Sequence, residues 1–294
     1  MTSPKPPWLK VRFPSDEAFF SVSALLERHG LHTVCRSARC PNIGECWAER
    51  TATFLILGDV CTRGCAFCAV AKGRPAAVDP GEPGRLAEAA ASLGLGYVVV
   101  TSVTRDDLPD GGAGHYAATI GALRRRIPGV QVEVLIPDFG GNPEALRTVT
   151  EAAPDVLAHN LEATASVYPR INRPAGHYRR SLDLLRRAAA DGAVVKSGLM
   201  LGLGETEEDI EGAFADLREA GCRLLTLGQY LQPTRGHAPV ARYYPPEDFV
   251  RLKRRALALG FAGVAAGPLV RSSYRARELA AGVSRAVEDR PCAS

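Results

Sequence analysis

From about residue 53 onward, short apolar runs alternate with amphipathic stretches, a pattern that confines the chain to βαβ units built around a parallel sheet. Strands are expected at 53–57, 97–102, 130–136, 156–160, 194–201 and 224–230. Helices are expected between them, at 83–93, 116–126, 143–152, 178–190, 207–220 and 246–259. Asn142 before Pro143 is a cap and first-turn pair, Thr206 with Asp209 has the spacing of a capping box, and Gly192, Gly221 and Gly260 stand where helices should stop. Six such units are too few for a closed eight-fold barrel. The expected fold is therefore α/β, a partial (β/α)6 barrel with its functional loops after the C-terminal strand ends.

The flanks differ. Residues 1–50 hold one helical stretch, 16–29, followed by a cysteine-rich loop, and the Arg/Ala/Glu-rich tail from Ser272 is expected to be helical. With 46% hydrophobic residues the chain can bury a large core, and its net charge of +4 is spread without blocks, which argues against a nucleic-acid arm. Met1 to Lys10 has three prolines and no apolar core, so neither a signal peptide nor a membrane span is expected there. A cytoplasmic location follows as the expectation. In such a compartment eight cysteines point to metal or catalysis rather than to disulfides.

Cys61, Cys65 and Cys68 form C-x3-C-x2-C directly after the first expected strand. Three thiolates can hold three irons of a four-iron cluster and leave the fourth open to a substrate, whereas structural zinc takes four protein ligands; both readings are open on spacing alone. A second triad, Cys35, Cys40 and Cys46, forms C-x4-C-x5-C upstream. Two three-ligand clusters fit six cysteines in two sets of three better than one mixed zinc or disulfide framework.

The first spacing, with Phe67 before its last cysteine, resembles the radical S-adenosylmethionine superfamily. The paired triads resemble the lipoyl synthases within it, and the likeness runs through Pro7-Trp8-Leu9-Lys10-Val11, 51–59, 101–103, 105–108, 110–113, 160–162, 226–235 and 267–274. Arg50 before 51–59 and the stretch 163–167 depart from the family pattern. Biotin synthases and methylthiotransferases are rivals that the second triad and the Arg271-Ser272-Ser273-Tyr274 motif oppose.

The resemblance implies two 4Fe-4S clusters and S-adenosyl-L-methionine as cofactors. It implies radical-mediated insertion of two sulfurs, at C6 and C8 of a protein-bound octanoyl-lysine, with the auxiliary cluster as sulfur donor. Cys61, Cys65 and Cys68 would hold the first cluster; Cys35, Cys40, Cys46 and Ser273 the auxiliary one, with Ser272 as the alternative oxygen. Phe67, Thr101, Ser102, Asn160, Glu162 and Lys196 would contact S-adenosylmethionine, helped by the glycines of 198–205, and Arg271 would grip substrate. Expected partners are an octanoylated lipoyl domain or glycine cleavage H protein and a ferredoxin- or flavodoxin-like donor. Domain roles would divide as 1–50 for the auxiliary cysteines, 51–267 for the barrel and 268–294 for the serine motif.

Other polar residues have plainer expectations. Asp106, Asp107 and Asp110 beside Gly111-Gly112 suggest an Asx-turn loop rather than a divalent-metal site. The six histidines lack metal spacing and are expected in surface or packing roles, Arg235 in solvent, Cys222 as a buried thiol and Cys292 as an incidental tail residue.

Overall fold

The computed structural model describes residues 5–11 and 17–281; Asp16, the tail beyond 281 and Cys292 lie outside the described residues. The chain forms two compact units, one of 11–158 with 233–237, the other of 159–232, the segment from 238 onward and the N-terminal residues to Lys10.

In the unit containing 11–158, helix α1 (Glu17–Arg28) precedes strand β1 (His32–Thr33) and two short helices, α2 (Val34–Ser37) and α3 (Ile43–Ala48). Then come β2 (Thr53–Ile56), the short strands β3 (Val60–Cys61) and β4 (Ala71–Lys72), α4 (Glu82–Ser92), β5 (Tyr97–Ser102), α5 (Ala113–Arg126), β6 (Gln131–Leu135), α6 (Pro143–Glu151) and β7 (Val156–Ala158). β2, β5, β6 and β7 pair in parallel in that order, with Thr53 opposite Val99, Tyr97 opposite Gln131 and Glu133 opposite Val156. β1 adds antiparallel to β2, and β3 pairs with β4 as a separate ribbon. The Val98-Val99-Val100 run of β5 is buried throughout, as strands covered on both faces require.

The other unit holds α7 (Gly176–Ala190), β8 (Val195–Leu201), α8 (Glu207–Glu219), β9 (Leu224–Gln229), α9 (Pro246–Ala258) and β10 (Gly263–Gly267). β8, β9 and β10 are parallel neighbours, Lys196 opposite Leu224 and Gly263 opposite Leu224 on the other side. Helical turns begin at 276 and run to 281, at the start of the expected helical tail.

All six expected strand–helix pairs form, with bounds moved by a few residues. Asn142 caps α6 by accepting the Glu144 and Ala145 amides, and the Thr206–Asp209 capping box closes in both directions. Two expectations change. β10, Gly- and Ala-rich, is a seventh parallel strand that the alternation does not reveal. β2 ends at Ile56 because Leu57 takes φ +67°, outside strand geometry, and its backbone is held by side chains instead of a neighbouring strand.

Candidate functional site

Leu57 shows how the turn ahead of the first triad is fixed. Its amide donates to Glu82 Oε2 (2.8 Å), and its carbonyl accepts from Arg105 Nη1 (3.3 Å). Glu82 is buried and pairs with His115 Nε2 (2.7 Å), while Arg105, also buried, pairs with Asp107 (2.8 Å). A left-handed leucine persists only where surroundings over-determine it, and two charged groups do so here. Gly112, at φ +92°, completes the seat: a Cβ there would stand 2.3 Å from Leu57 Cδ1.

Beyond that turn Cys61 ends β3, and its Sγ receives two backbone amides, from Arg63 and from Thr104, both at 3.4 Å. Cys65 and Cys68 close a tight turn, the Cys68 amide donating to the Cys65 carbonyl (3.1 Å), with half-buried Phe67 inside it. His237 donates from Nε2 to the Cys68 carbonyl (3.0 Å), and its Nδ1 meets Thr234 Oγ1 (2.8 Å). All three thiols are half-buried and none of the described cysteines is in a disulfide.

The second triad is built differently. Thr33 caps α2, which carries Cys35 in its first turn; Cys40 follows the helix, and Cys46 lies on α3. Cys35 is buried, and burial pushes its thiol up, partly offset by the Thr53 amide. Burial, then the neighbouring Cys35 and Cys40, then Glu45 and Glu49, push the Cys46 thiol up to about 12. The thiols therefore sense one another. Trp47 is fully buried between Phe19 and Arg36, and its Nε1–H finds no hydrogen-bond partner. A buried donor left unsatisfied beside a thiol is what a thiolate would use.

Both settings suit cluster thiolates: backbone amides already aim at one sulfur of the first triad, and an orphaned indole lies against one of the second. Among the described residues no group of three or more His, Cys, Asp or Glu converges as the ligands of a single ion would. Ligands of a four-iron cube each take a separate iron and so stand apart.

Thr101 and Ser102 end β5. Thr101 Oγ1 donates to the Leu135 carbonyl (3.0 Å), whereas Ser102 Oγ is buried with no hydrogen-bond partner, beside the Tyr116 hydroxyl that also bonds Leu135. Asp110 accepts the Gly112 and Gly114 amides just ahead of α5, the Asx turn expected of it. Asp106 and Asp107 are instead paired with arginines, which residue spacing does not show.

In the other unit Asn160 Oδ1 accepts from Ser272 Oγ (2.8 Å), and both oxygens lie over Gly198, where a Cβ would come within 2.9 and 3.2 Å of them. Glu162, at φ +71°, bridges to Leu199; burial raises its carboxyl, against a lowering by Arg173 and Asn160. Ser273 follows Ser272, half-buried, and Arg271 turns its guanidinium onto the Val270 carbonyl (2.6 Å). Glu205 closes the glycine turn by accepting the Gly202 and Leu203 amides. Lys196 departs from expectation: it is fully buried at the N-terminal end of β8, five residues before the strand's C-terminal Leu201. Cys222 is buried as expected, and Arg235 is exposed.

Sequence reasoning missed His237, Arg63, Glu82 and Trp47. Each acts through a partner distant in sequence or through its own burial, and only the cysteines they serve carry a spacing signal.

Residues 55–217 match the model of the Radical SAM superfamily. Lipoyl synthase of Rubrobacter xylanophilus is 53% identical over 93% of this chain and 86% of its own length. Those of Nitratidesulfovibrio vulgaris and Caldanaerobacter subterraneus are 55% identical, over 92% and 94% of this chain and 91% and 97% of their own. Among solved structures, the FeFe-hydrogenase maturase HydG from Carboxydothermus hydrogenoformans superposes with a TM-score of 0.59 at 14% identity, over 90% of this chain and 60% of its own. Streptococcus suis SuiB bound to precursor peptide SuiA gives 0.53 at 13% identity, over 82% of this chain and 49% of its own. At these identities the likeness is one of fold.

Proposed function

Because the chain belongs to the lipoyl synthases of the Radical SAM superfamily, whose fold is the expected partial (β/α)6 barrel, we propose distinct tasks for its two cysteine triads. The enzyme inserts two sulfur atoms at C6 and C8 of a protein-bound octanoyl-lysine, forming the lipoyl cofactor, with its auxiliary cluster as sulfur donor. Its cofactors are two 4Fe-4S clusters and S-adenosyl-L-methionine, which together supply an electron and a 5′-deoxyadenosyl radical able to take hydrogen from unactivated carbon.

Cys61, Cys65 and Cys68 hold the radical-generating cluster in this proposal, and Cys35, Cys40 and Cys46 hold the auxiliary one. The carrying observation is the pair of backbone amides, from Arg63 and Thr104, that meets the Cys61 sulfur. Ser273 is the remaining auxiliary ligand by its motif, and the engagement of Ser272 with Asn160 supports that choice. An oxygen ligand is harder and more labile on iron than a thiolate, so the corner it holds can open. Phe67, Thr101, Ser102, Asn160 and Glu162 are proposed to bind S-adenosylmethionine, the orphaned Ser102 hydroxyl being the clearest candidate. Lys196, at the opposite end of its strand, is left out of that set. Arg271 is proposed to bind substrate.

The domain roles are proposed as 1–50, 51–267 and 268–294. The carrier is proposed to be a lipoyl domain of a 2-oxoacid dehydrogenase or the glycine cleavage H protein, the donor a ferredoxin- or flavodoxin-like protein, and the location cytoplasmic. No helix among the described residues is long and apolar enough to cross a membrane.

Iron and acid-labile sulfide counts after anaerobic purification test the cluster assignment. About eight irons per chain are expected, falling to about four in Cys35→Ala. A colourless protein containing zinc and no labile sulfide would contradict it.

A further inference from the structure

Thr104 is not a neighbour of Cys61 in sequence, yet its amide points at the Cys61 sulfur, and what holds it there is a compact set of polar contacts. The Thr62 amide and hydroxyl both donate to the Thr104 carbonyl (3.1 and 3.0 Å), and the hydroxyl also meets Asp106 Oδ2 (3.1 Å). The Asp106 amide donates back to Thr62 Oγ1 (3.2 Å). Arg63 then grips Asp106 with two bonds, Nε to Oδ2 (2.8 Å) and Nη2 to Oδ1 (2.7 Å), and reaches Asp138 Oδ1 (2.7 Å), a buried carboxylate after β6. The loops after β5 and β6 are thereby latched to the cysteine loop through one guanidinium.

We propose that Arg63 is a positioning residue that sets the reduction potential of the cluster carried by Cys61, by holding the Thr104 N–H on that sulfur. This rests on the assignment of Cys61 above. One-electron reduction adds negative charge that the ligand sulfurs share, so N–H donors stabilise the reduced state more than the oxidised one and raise the potential. Loosening the latch moves the Thr104 amide away and lowers it. The bidentate fork is needed because a lysine offers a point charge without the geometry.

Charge and latch predict opposite signs, and this separates them. Asp138→Asn removes a negative charge, which by Coulomb's law alone raises the potential; loss of the latch lowers it. Arg63→Lys keeps the charge, and Thr62→Val changes none. The test is a redox titration of the holoenzyme and these three variants, following the electron paramagnetic resonance signal that responds to added S-adenosylmethionine, with iron and sulfide counted in each sample. All three variants are expected to keep full iron, shift to more negative potential, and lose S-adenosylmethionine cleavage several-fold with a mild reductant while recovering it with a stronger one. Unchanged or more positive potentials in iron-replete variants would overturn the proposal. So would loss of iron from all three, which would make the latch a scaffold for loading. A parent enzyme with no responsive signal would instead overturn the assignment of Cys61, and the latch with it.

Discussion

The two triads occupy the same unit and use the same residue type, but they stand in different surroundings. Cys61, Cys65 and Cys68 lie half-buried in a loop pinned on both sides, and Cys61 receives two main-chain amides. Cys35 and Cys46 sit on short helices against a buried tryptophan, in surroundings that favour the protonated thiol. The first arrangement fixes the Cys61 sulfur between two main-chain donors. The second sets Cys35 beside the Thr53 amide and a buried indole, on short helices rather than in a loop.

The largest way to break this contrast is to remove one thiol from each triad. Cys61→Ala should abolish 5′-deoxyadenosine formation, a loss of at least about a thousand-fold given the barrier that radical initiation must lower. Cys35→Ala should still form 5′-deoxyadenosine while lipoyl product disappears. Both products are read by mass spectrometry, and loss of S-adenosylmethionine cleavage in Cys35→Ala would show that the triads do not have separate tasks.

A smaller effect tests the pinning of the first loop. Glu82→Ala leaves His115 and the Leu57 amide without their buried partner, and should cost about 3 kcal/mol in chemical denaturation. Iron at the first triad should become labile while the second keeps its own. A variant as stable as the parent would show that Leu57 holds its conformation unaided.

Cys222 sharpens the reading of burial as a cause, because it is a buried thiol with no thiol neighbour among the described residues. Burial pushes it up to about 12 from an ordinary 9.0. Its proton is therefore retained in the folded chain after the unfolded thiol has lost it. The contribution is fully present below about 9 and falls as pH rises toward 12, by about 1.4 kcal/mol at pH 10. Cys222→Ala should flatten that alkaline decline in denaturation curves, and an unchanged slope would remove burial as the source.

Much of this was legible in the sequence, for reasons that differ by element. The strand–helix alternation survives folding because each strand is buried on both faces and each helix on one, so periodicity reports burial directly. β10 escapes because Gly263-Val264-Ala265-Ala266-Gly267 has almost none of the β-branched residues that mark a strand. Leu57 looks like strand from its apolar neighbours, and only Glu82 and Arg105, 25 and 48 residues away, turn it out. The two cysteine triads were legible because each is confined to a short stretch of chain. Arg63, His237 and Trp47 were not, because what they do depends on which loop lies beside them.

The claim that the second triad supplies sulfur is tested most directly by isotope. Enzyme reconstituted with heavy sulfide is given natural-abundance S-adenosylmethionine and an octanoylated carrier peptide, and the product is weighed after a single turnover. The parent enzyme should yield lipoyl peptide with both inserted sulfurs heavy and two hydrogens lost, and Cys35→Ala, still carrying its first cluster, should yield none. Light sulfur in the product, or heavy lipoyl peptide from Cys35→Ala, would contradict it.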